Sequence, residues 1–168
     1  MQNIVLSERM FKILSTHVAD IERVKEAIIK IFYADNAGTG MDIEAFFREY
    51  TATIDNFLKI IKVHKDGSDT CPLSIIGSTV EVRDTAVMDV CSYHIVLPYA
   101  KKATRDMSSA SCLSPMGRAL LLKSVGSRVS IQTPTELLSY EVISIALPDN
   151  TMENNSIRLF HGNANLAL

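Results

Sequence analysis

The sequence contains no tryptophan, only three cysteines, and no apolar run long enough to cross a membrane. A membrane-spanning helix needs about 20 consecutive apolar residues, so we expect no contact with a membrane. The cysteines are far apart and form no Cys-x-x-Cys pair, which favours a reducing cytoplasm over a disulfide scaffold. The first six residues lack a basic flank and a long apolar run, so we expect no secretory signal.

An excess of charge of one sign is also missing, because 17 basic and 19 acidic residues give a net charge of −2. Without a global basic field, any contact with nucleic acid must be local or made through a partner protein. The four histidines show no ligand spacing with one another or with the cysteines, and no glycine-rich phosphate loop is present. We therefore expect no intrinsic metal and no intrinsic cofactor.

A hydrophobic fraction of 47% is sufficient for a packed core, and its periodicity predicts two long helices. Residues 8–34 repeat apolar positions at alternating steps of three and four, with Ser7 as the expected N-cap. Residues 42–63 repeat them at heptad spacing. The two stripes consist of Leu14, Val18, Ile21, Val24 or Lys25, Ile28 and Ile31 in the first helix, and of Ile43, Phe47, Tyr50, Ile54, Phe57 and Ile61 in the second.

Between these helices, residues 35–40 contain two glycines and turn-favouring polar residues, so we predict a loop. Two striped helices joined by a short loop pack antiparallel, because each covers the apolar stripe of the other. We expect residues 1–65 to form a coiled-coil hairpin that projects as a finger with the loop at its tip. Packing of both helices against the rest of the chain is the alternative. The polar residues 66–72 are predicted to be a linker.

Residues 73–148 have the alternation and the proline punctuation of a small β domain. A short helix is predicted within residues 114–126, with Ser114 as N-cap, Pro115 at the first helical position and Gly126 as the left-handed exit residue. The predicted strands are residues 79–83, 90–97, 109–113, 128–132 and 138–147. The predicted class is therefore α+β: an N-terminal antiparallel helical hairpin followed by an antiparallel β-sheet with one helix. Residues 149–168 have no strong pattern and are expected to be a partly mobile tail.

Part of the β domain resembles a known family. Residues 114–121 read Ser-Pro-Met-Gly-Arg-Ala-Leu-Leu, preceded by Ile-Gly-Ser-Thr-Val-Glu-Val at 76–82 and followed by Tyr-Glu-Val-Ile-Ser-Ile at 140–145. In this order they resemble the C-terminal domain of the Gre transcript cleavage factors, which are bacterial transcription elongation factors. The resemblance covers residues 73–147 and implies an FKBP-like arrangement of sheet and helix. It also implies that the chain binds bacterial RNA polymerase, inserts the finger into the secondary channel, and meets nascent RNA or DNA only within the elongation complex.

In that family the polymerase performs the catalysis, and acidic residues at the finger tip help to hold a second Mg²⁺ in its active site. The resemblance implies this role for Asp42, Glu44 and Asp35. The tip motif Gly-Asp-x-x-Glu-Asn-Ala-Glu-Tyr is echoed in part, because residues 40–46 read Gly-Met-Asp-Ile-Glu-Ala-Phe without the asparagine. Each acid also has a structural explanation. Asp42 has the spacing of a capping box with Thr39, and an aspartate or glutamate in a first helical turn interacts favourably with the helix dipole. Asp35 would only end the first helix.

The resemblance places polymerase docking at Ser114, Pro115 and Met116. Helix capping is the alternative explanation for the Ser114-Pro115 pair. Three basic residues near the tip are candidates for contact with transcript phosphates: Lys25, Lys30 and Arg48. A solvated helix face is the alternative explanation for these three.

The sequence is also compatible with two other functions. A non-cleaving relative that only occupies the polymerase channel, similar to the regulator of nucleoside diphosphate kinase, is favoured by the incomplete acidic tip. A prolyl isomerase is suggested by fold analogy alone. The absence of tryptophan, and of an aromatic cluster to floor a proline pocket, argues against the isomerase.

Overall fold

The computed structural model describes residues 3–35, 40–99 and 108–147. The described residues divide into two compact units, a hairpin unit up to Thr70 and a sheet unit from Cys71 onward. The division falls within the polar segment 66–72. The predicted tail lies outside the described residues, as does most of the predicted tip loop.

The hairpin unit is formed by two long helices and two very short strands. In chain order these are β1 (Val5–Leu6), α1 (Glu8–Asp35), α2 (Ile43–Ile60) and β2 (Lys62–Val63). The predicted helical hairpin is confirmed, and the stripes on α1 and α2 cover each other as the heptad spacing indicates. The apolar side chains that are buried are Met10, Leu14, Val18, Ile21, Val24, Ile28 and Phe32 in α1, and Ile43, Phe47, Tyr50 and Ile54 in α2.

Helix α1 begins where the sequence predicts, because Ser7 caps it. The Met10 N–H donates to Ser7 Oγ at 3.0 Å, and the Phe11 N–H donates to the Ser7 carbonyl at 3.0 Å. Helix α2 ends at Ile60, so the predicted extension to residue 63 is wrong. Ile61 is the C-cap in an extended conformation, because the chain there turns to pair with β1.

The hairpin is closed at its base by a parallel pair that the sequence does not signal. Leu6 in β1 pairs with Val63 in β2, and the Ser68 N–H donates to the Val5 carbonyl at 2.8 Å. Gly67 approaches so closely that a Cβ there would lie 2.1 Å from the Leu6 carbonyl oxygen. Strands of two residues are too short to show a period, which explains why β1 and β2 were not predicted.

The sheet unit is a five-stranded sheet with one short helix. Its elements are β3 (Thr79–Asp84), β4 (Val90–Val96), β5 (Ser108–Ser111), α3 (Pro115–Leu120), β6 (Arg128–Gln132) and β7 (Leu137–Ala146). The strand order is β5-β4-β3-β7-β6. The predicted α+β class is confirmed, and each predicted strand is present with bounds shifted by at most two residues.

The expectation of a wholly antiparallel sheet is wrong for one pair, since β5 runs parallel to β4. A parallel neighbour needs a connection long enough to return the chain to the start of the preceding strand. Eleven residues, 97–107, separate the two strands in the sequence. The remaining three pairs are antiparallel, and β3 pairs with both β4 and β7 at the centre of the sheet.

Helix α3 is shorter than predicted, and the chain leaves the helix at a residue other than the predicted Gly126. It ends at Leu120, and Leu122 takes the left-handed conformation with φ of 60°. Gly126 is also left-handed, with φ of 89°, but it lies in the next turn, where its N–H donates to the Val142 carbonyl at 2.8 Å. The assignment of Gly126 as the helix exit is therefore wrong.

The exit at Leu122 is fixed by Ser74, which is fully buried and lies far away in the sequence. The Leu122 N–H donates to the Ser74 carbonyl at 2.7 Å, and the Lys123 N–H donates to Ser74 Oγ at 2.8 Å. Ser74 Oγ in turn donates to the Leu120 carbonyl. One serine thus satisfies backbone groups that the end of a helix leaves unpaired.

Gly117 allows α3 to approach the end of β5. A Cβ at this position would lie 1.8 Å from the Ser111 carbonyl oxygen, which is backbone and cannot swing away. Gly126, by contrast, has open space around it but a positive φ. The two glycines are therefore required for different reasons.

We expect Gly117→Ala to destabilise the sheet unit by about 3 kcal/mol, because the added methyl group must displace backbone atoms. Gly126→Ala should cost about 1 kcal/mol, the usual penalty for a left-handed non-glycine residue. Urea unfolding followed by the amide resonances of β3 measures both. Equal losses for the two variants would contradict the close approach at Gly117.

Candidate functional site

The three predicted acids lie at one end of the hairpin. Asp35 is the last residue of α1, Asp42 immediately precedes α2, and Glu44 is the second residue of α2. All three are exposed. The residues between the helices, 36–39, lie outside the described part of the chain. The two helix ends therefore carry these carboxylates at the site where the sequence predicts the tip.

Asp42 is the N-cap of α2. Its Oδ1 accepts the Ala45 N–H at 2.8 Å, and its carbonyl accepts the Phe46 N–H at 3.1 Å. The predicted capping box, with Thr39 as the cap and Asp42 inside the helix, is wrong because Asp42 is itself the cap. Thr39 lies outside the described residues.

This position changes how Asp42 relates to Glu44. Inside a helix, residues two apart point about 200° from each other, so their carboxylates diverge. Asp42 has φ of −88° and ψ of 90°, which places it before the helix and removes that restriction. A carboxylate has about four acceptor positions, so one capping hydrogen bond leaves Asp42 able to bind a cation as well.

The first turns of α2 are anchored by buried apolar and aromatic side chains. Ile43 and Phe47 are both fully buried, which directs Glu44 to the solvent side of the helix. Phe46 contacts Phe47 edge-on, with ring centroids 5.3 Å apart, and stacks with Tyr50 at 6.4 Å. The acidic end of the hairpin is therefore held by a packed turn.

A buried polar pair that the sequence pattern did not predict crosses the seam between the helices. His17 Nε2 and the Tyr50 hydroxyl are 2.7 Å apart, and their rings meet edge to face. Burial lowers the pKa of His17 to about 4, so the imidazole is neutral at neutral pH. The sequence did contain a sign that these two residues lie near the seam, since Tyr50 belongs to the predicted stripe of α2 and His17 precedes Val18 in the predicted stripe of α1.

The three predicted basic contacts occupy different environments. Lys25 is half-buried and forms an ion pair with Glu22, whose pKa is lowered first by the hydrogen bond from Lys25. Lys30 and Arg48 are exposed. At 1.5 Å per residue, Lys30 and Arg48 lie about 7 Å from the helix ends and Lys25 about 15 Å away. The ion pair supports the structural explanation for Lys25 and leaves Lys30 and Arg48 as candidates.

The second predicted site is the start of α3. Ser114 is the N-cap as predicted: its Oγ accepts the Gly117 N–H at 3.1 Å and donates to the Ser111 carbonyl at 2.7 Å. Pro115 occupies the first helical position and is exposed, and Met116 is half-buried. The predicted docking residues therefore sit at a corner that Ser114 fixes, and Pro115 is exposed there.

Other site chemistry is limited in the part of the chain that the structure describes. No three His, Cys, Asp or Glu side chains there come together in a way that would hold a metal ion. Within the same residues no helix has both the length and the apolar character to cross a membrane. Burial raises the pKa of the Cys71 thiol to about 11 and that of Cys112 to about 12, so both are poor nucleophiles.

We expect the hairpin to lose stability in acid because of His17. Its pKa falls from 6.5 to about 4 on folding, so the stabilisation is complete above pH 6.5 and is lost as the pH drops towards 4. The loss at pH 4.5 should be about 2–3 kcal/mol. Thermal unfolding followed by helical circular dichroism at pH 7 and pH 4.5 measures it.

His17→Leu should remove most of the pH dependence of hairpin stability. His64→Gln should leave that pH dependence unchanged because His64 is exposed. An unchanged acid response in the His17→Leu variant would show that other groups carry the effect.

Comparison with known proteins agrees with the features described above. A profile of the family described as "Transcription elongation factor, GreA/GreB, C-term" matches residues 75–147. Transcription elongation factor GreA of Rickettsia prowazekii (strain Madrid E) is 31% identical over 138 residues, which cover 77% of this chain and 83% of that protein. The GreA protein of Syntrophobacter fumaroxidans is 40% identical over 72 residues, or 43% of this chain and 45% of that protein.

The chain therefore covers about half the length of the Syntrophobacter relative. A solved structure, "Prokaryotic transcription elongation factor GreA/GreB from Nitrosomonas europaea", is similar at 17% identity with a TM-score of 0.44, over 85% of this chain and 98% of that one. The Rickettsia match extends well beyond the sheet unit. The chain belongs to the GreA/GreB family of transcription elongation factors.

Proposed function

We propose that this protein binds bacterial RNA polymerase and inserts its helical hairpin into the secondary channel, where it stimulates cleavage of backtracked transcripts. Membership of the GreA/GreB family supports the polymerase as the partner. The observation that carries the proposal is the exposure of Asp35, Asp42 and Glu44 at one end of a hairpin whose apolar seam is buried.

The acids suit the chemistry that the proposal requires. Hydrolysis of a phosphodiester by two metal ions needs hard oxygen ligands, and Mg²⁺ is usually held by one or two carboxylates. Asp42 and Glu44 would supply these oxygens to a Mg²⁺ ion of the polymerase active site, which activates the attacking water. The protein is then an accessory factor, and the polymerase is the enzyme.

Docking is assigned to the start of α3. Ser114 fixes this corner through two hydrogen bonds, so the exposed ring of Pro115 and the half-exposed Met116 form a preorganised surface. A preorganised surface loses little conformational entropy on binding. Near the hairpin end, Lys30 and Arg48 would meet transcript phosphates within the elongation complex.

A second candidate function is occupation of the channel without cleavage. Asp42 already serves as a helix cap, and the tip lacks the asparagine of the cleavage motif. A hairpin of this kind would block the channel and leave the intrinsic activity of the polymerase unassisted. This candidate shares the docking surface but assigns the tip acids a purely structural role.

Transcript cleavage in a stalled, backtracked elongation complex separates the two functions. Asp42→Asn keeps a good helix cap but removes the charge, so it isolates cation binding from capping. We expect Asp42→Asn and Glu44→Gln each to reduce cleavage stimulation at least about tenfold, the scale of losing one good electrostatic contact. Asp55→Asn, an exposed acid about 20 Å further along α2, is the matched control and should behave like the unaltered protein.

Binding to purified core polymerase is measured in parallel for every variant. A complex that forms normally but releases no 3′ RNA fragment, with or without the substitutions, establishes the channel-occupying function. Failure to form any complex with the polymerase excludes both the cleavage-stimulating and the channel-occupying function.

A further inference from the structure

Tyr33 differs from every other phenylalanine and tyrosine of the two long helices because it is exposed. Its exposed fraction is 48%. The six that are buried or half-buried are Phe11, Phe32, Phe46, Phe47, Tyr50 and Phe57. At an exposed helix position, alanine, lysine or glutamate stabilises the helix more than tyrosine does. Helix stability therefore does not account for Tyr33, and contact of its ring with another molecule accounts for it better.

Helix α1, which carries Tyr33, extends past the start of α2. The two helices contain 28 and 18 residues, and at the base of the hairpin they are held level, because Leu6 pairs with Val63. At 1.5 Å per residue, α1 is therefore about 15 Å longer than α2. Tyr33 lies two residues before the end of α1 and belongs to this extension, so α2 does not reach it.

The buried pair between the helices gives the same difference in length. His17 lies about 27 Å before the end of α1, whereas Tyr50 lies about 11 Å after the start of α2. Because the His17 and Tyr50 side chains are in contact, α1 again extends about 15 Å farther than α2. Two separate contacts, one at the base and one within the seam, thus agree on the extension.

The Tyr33 ring is held by its neighbour Phe32. Phe32 is buried, with an exposed fraction of 7%, and it contacts the Tyr33 ring edge to face with ring centroids 5.9 Å apart. Such an arrangement is one that aromatic pairs prefer. The exposed ring is therefore anchored on a packed residue, and it loses little conformational freedom when a planar group stacks on it.

Lys30 places a positive charge beside this ring. Residues three apart on a helix are neighbours, so Lys30 and Tyr33 share the exposed side of α1. Among the described residues Lys30 has no ion-pair partner. The nearby acids are placed elsewhere: Asp35 points about 200° away from Tyr33 around the helix, and Glu26 lies about 10 Å back along α1.

An exposed aromatic ring beside an unpaired cation suits one kind of ligand, a single-stranded nucleic acid. Proteins hold such strands by stacking bases on aromatic side chains while basic residues contact the phosphates. A duplex fits less well, because its bases already stack on one another. A backtracked elongation complex contains a suitable strand, since the 3′ segment of its transcript is no longer paired with the template.

We propose that Tyr33 and Lys30 bind an unpaired nucleotide of the transcript, with its base stacked on the Tyr33 ring and its phosphate paired with Lys30. The inference rests on the proposed function, because it takes the RNA of the elongation complex as the ligand. Tyr33 lies about 10 Å farther along the hairpin than the start of α2, where Asp42 stands. The stacked nucleotide is therefore not the one at the metal ion, and Tyr33 contributes to binding of the transcript and not to the cleavage step.

The first test titrates the full-length chain, labelled with ¹⁵N, with single-stranded hexaadenylate RNA. We expect the amide resonances of residues 30–34 to shift, and hexauridylate to bind more weakly because a pyrimidine stacks less well than a purine. Tyr33→Leu should weaken binding of hexaadenylate about tenfold, whereas Tyr33→Phe keeps the ring and should bind normally. Leucine is the better helix former at this position, so misfolding does not explain a loss in Tyr33→Leu.

The second test measures transcript cleavage in a backtracked elongation complex as a function of protein concentration. Tyr33→Leu should raise the concentration for half-maximal cleavage about tenfold and leave the maximal rate unchanged, whereas Asp42→Asn should lower the maximal rate. Lys30→Gln should raise the same concentration and reduce its salt dependence by about one phosphate contact. Ile60→Ser and Lys59→Gln alter exposed residues at the other end of α2 and are the matched controls.

The proposal is overturned if hexaadenylate shifts no resonance of residues 30–34, or if an RNA duplex shifts them equally. It is also overturned if Tyr33→Leu weakens binding to core polymerase without nucleic acid, because the ring then contacts protein. Normal cleavage by Tyr33→Leu would exclude the transcript contact and leave the proposed function intact. Binding of RNA by residues 30–34 in a protein that forms no complex with the polymerase would exclude the proposed function and leave the RNA contact.

Discussion

The mutual covering of two apolar stripes is the constraint on which the hairpin depends. Burying an aliphatic side chain contributes about 1.5–3 kcal/mol, and among the described elements α1 and α2 pack mainly on each other. Most helical stability in proteins comes from such packing rather than from propensity. The exposed acids at one end are therefore held by the same seam that His17 and Tyr50 cross.

The buried His17–Tyr50 pair adds specificity to this seam. An apolar stripe alone tolerates small shifts of one helix along the other, whereas a polar pair at a single level favours one register. Register matters here because it sets where Asp42 and Glu44 stand relative to Asp35. A single hydrogen bond between the two helices thus helps to set the geometry of the acidic end of the hairpin.

The sheet unit uses serines for a comparable purpose. Ser114 caps the start of α3 and Ser74 caps its end, so a helix of only six residues has both termini satisfied. Gly117 then lets this helix lie against the end of β5. The predicted docking corner is rigid because these local contacts agree with one another.

Much of the fold follows from periodicity, and the parts that do not follow have physical reasons. Long stripes predicted α1 and α2, and alternation predicted the five strands of the sheet. The strands β1 and β2 are too short to have a period, and the cap from Ser74 joins residues more than 40 positions apart, which no local pattern encodes. Asp42 is the N-cap three residues beyond Thr39 of the predicted capping box, because threonine and aspartate can both cap a helix and the sequence does not choose between them.

The most direct measurement concerns where the hairpin end lies in a working complex. A photoreactive amino acid replaces Met41, beside the acids, or Lys59, about 27 Å away at the other end of α2. In a backtracked elongation complex, position 41 should cross-link to the 3′ end of the RNA and position 59 should not. Cross-linking to that RNA end from position 59 alone, or from neither position, would contradict delivery of the acidic end to the polymerase active site.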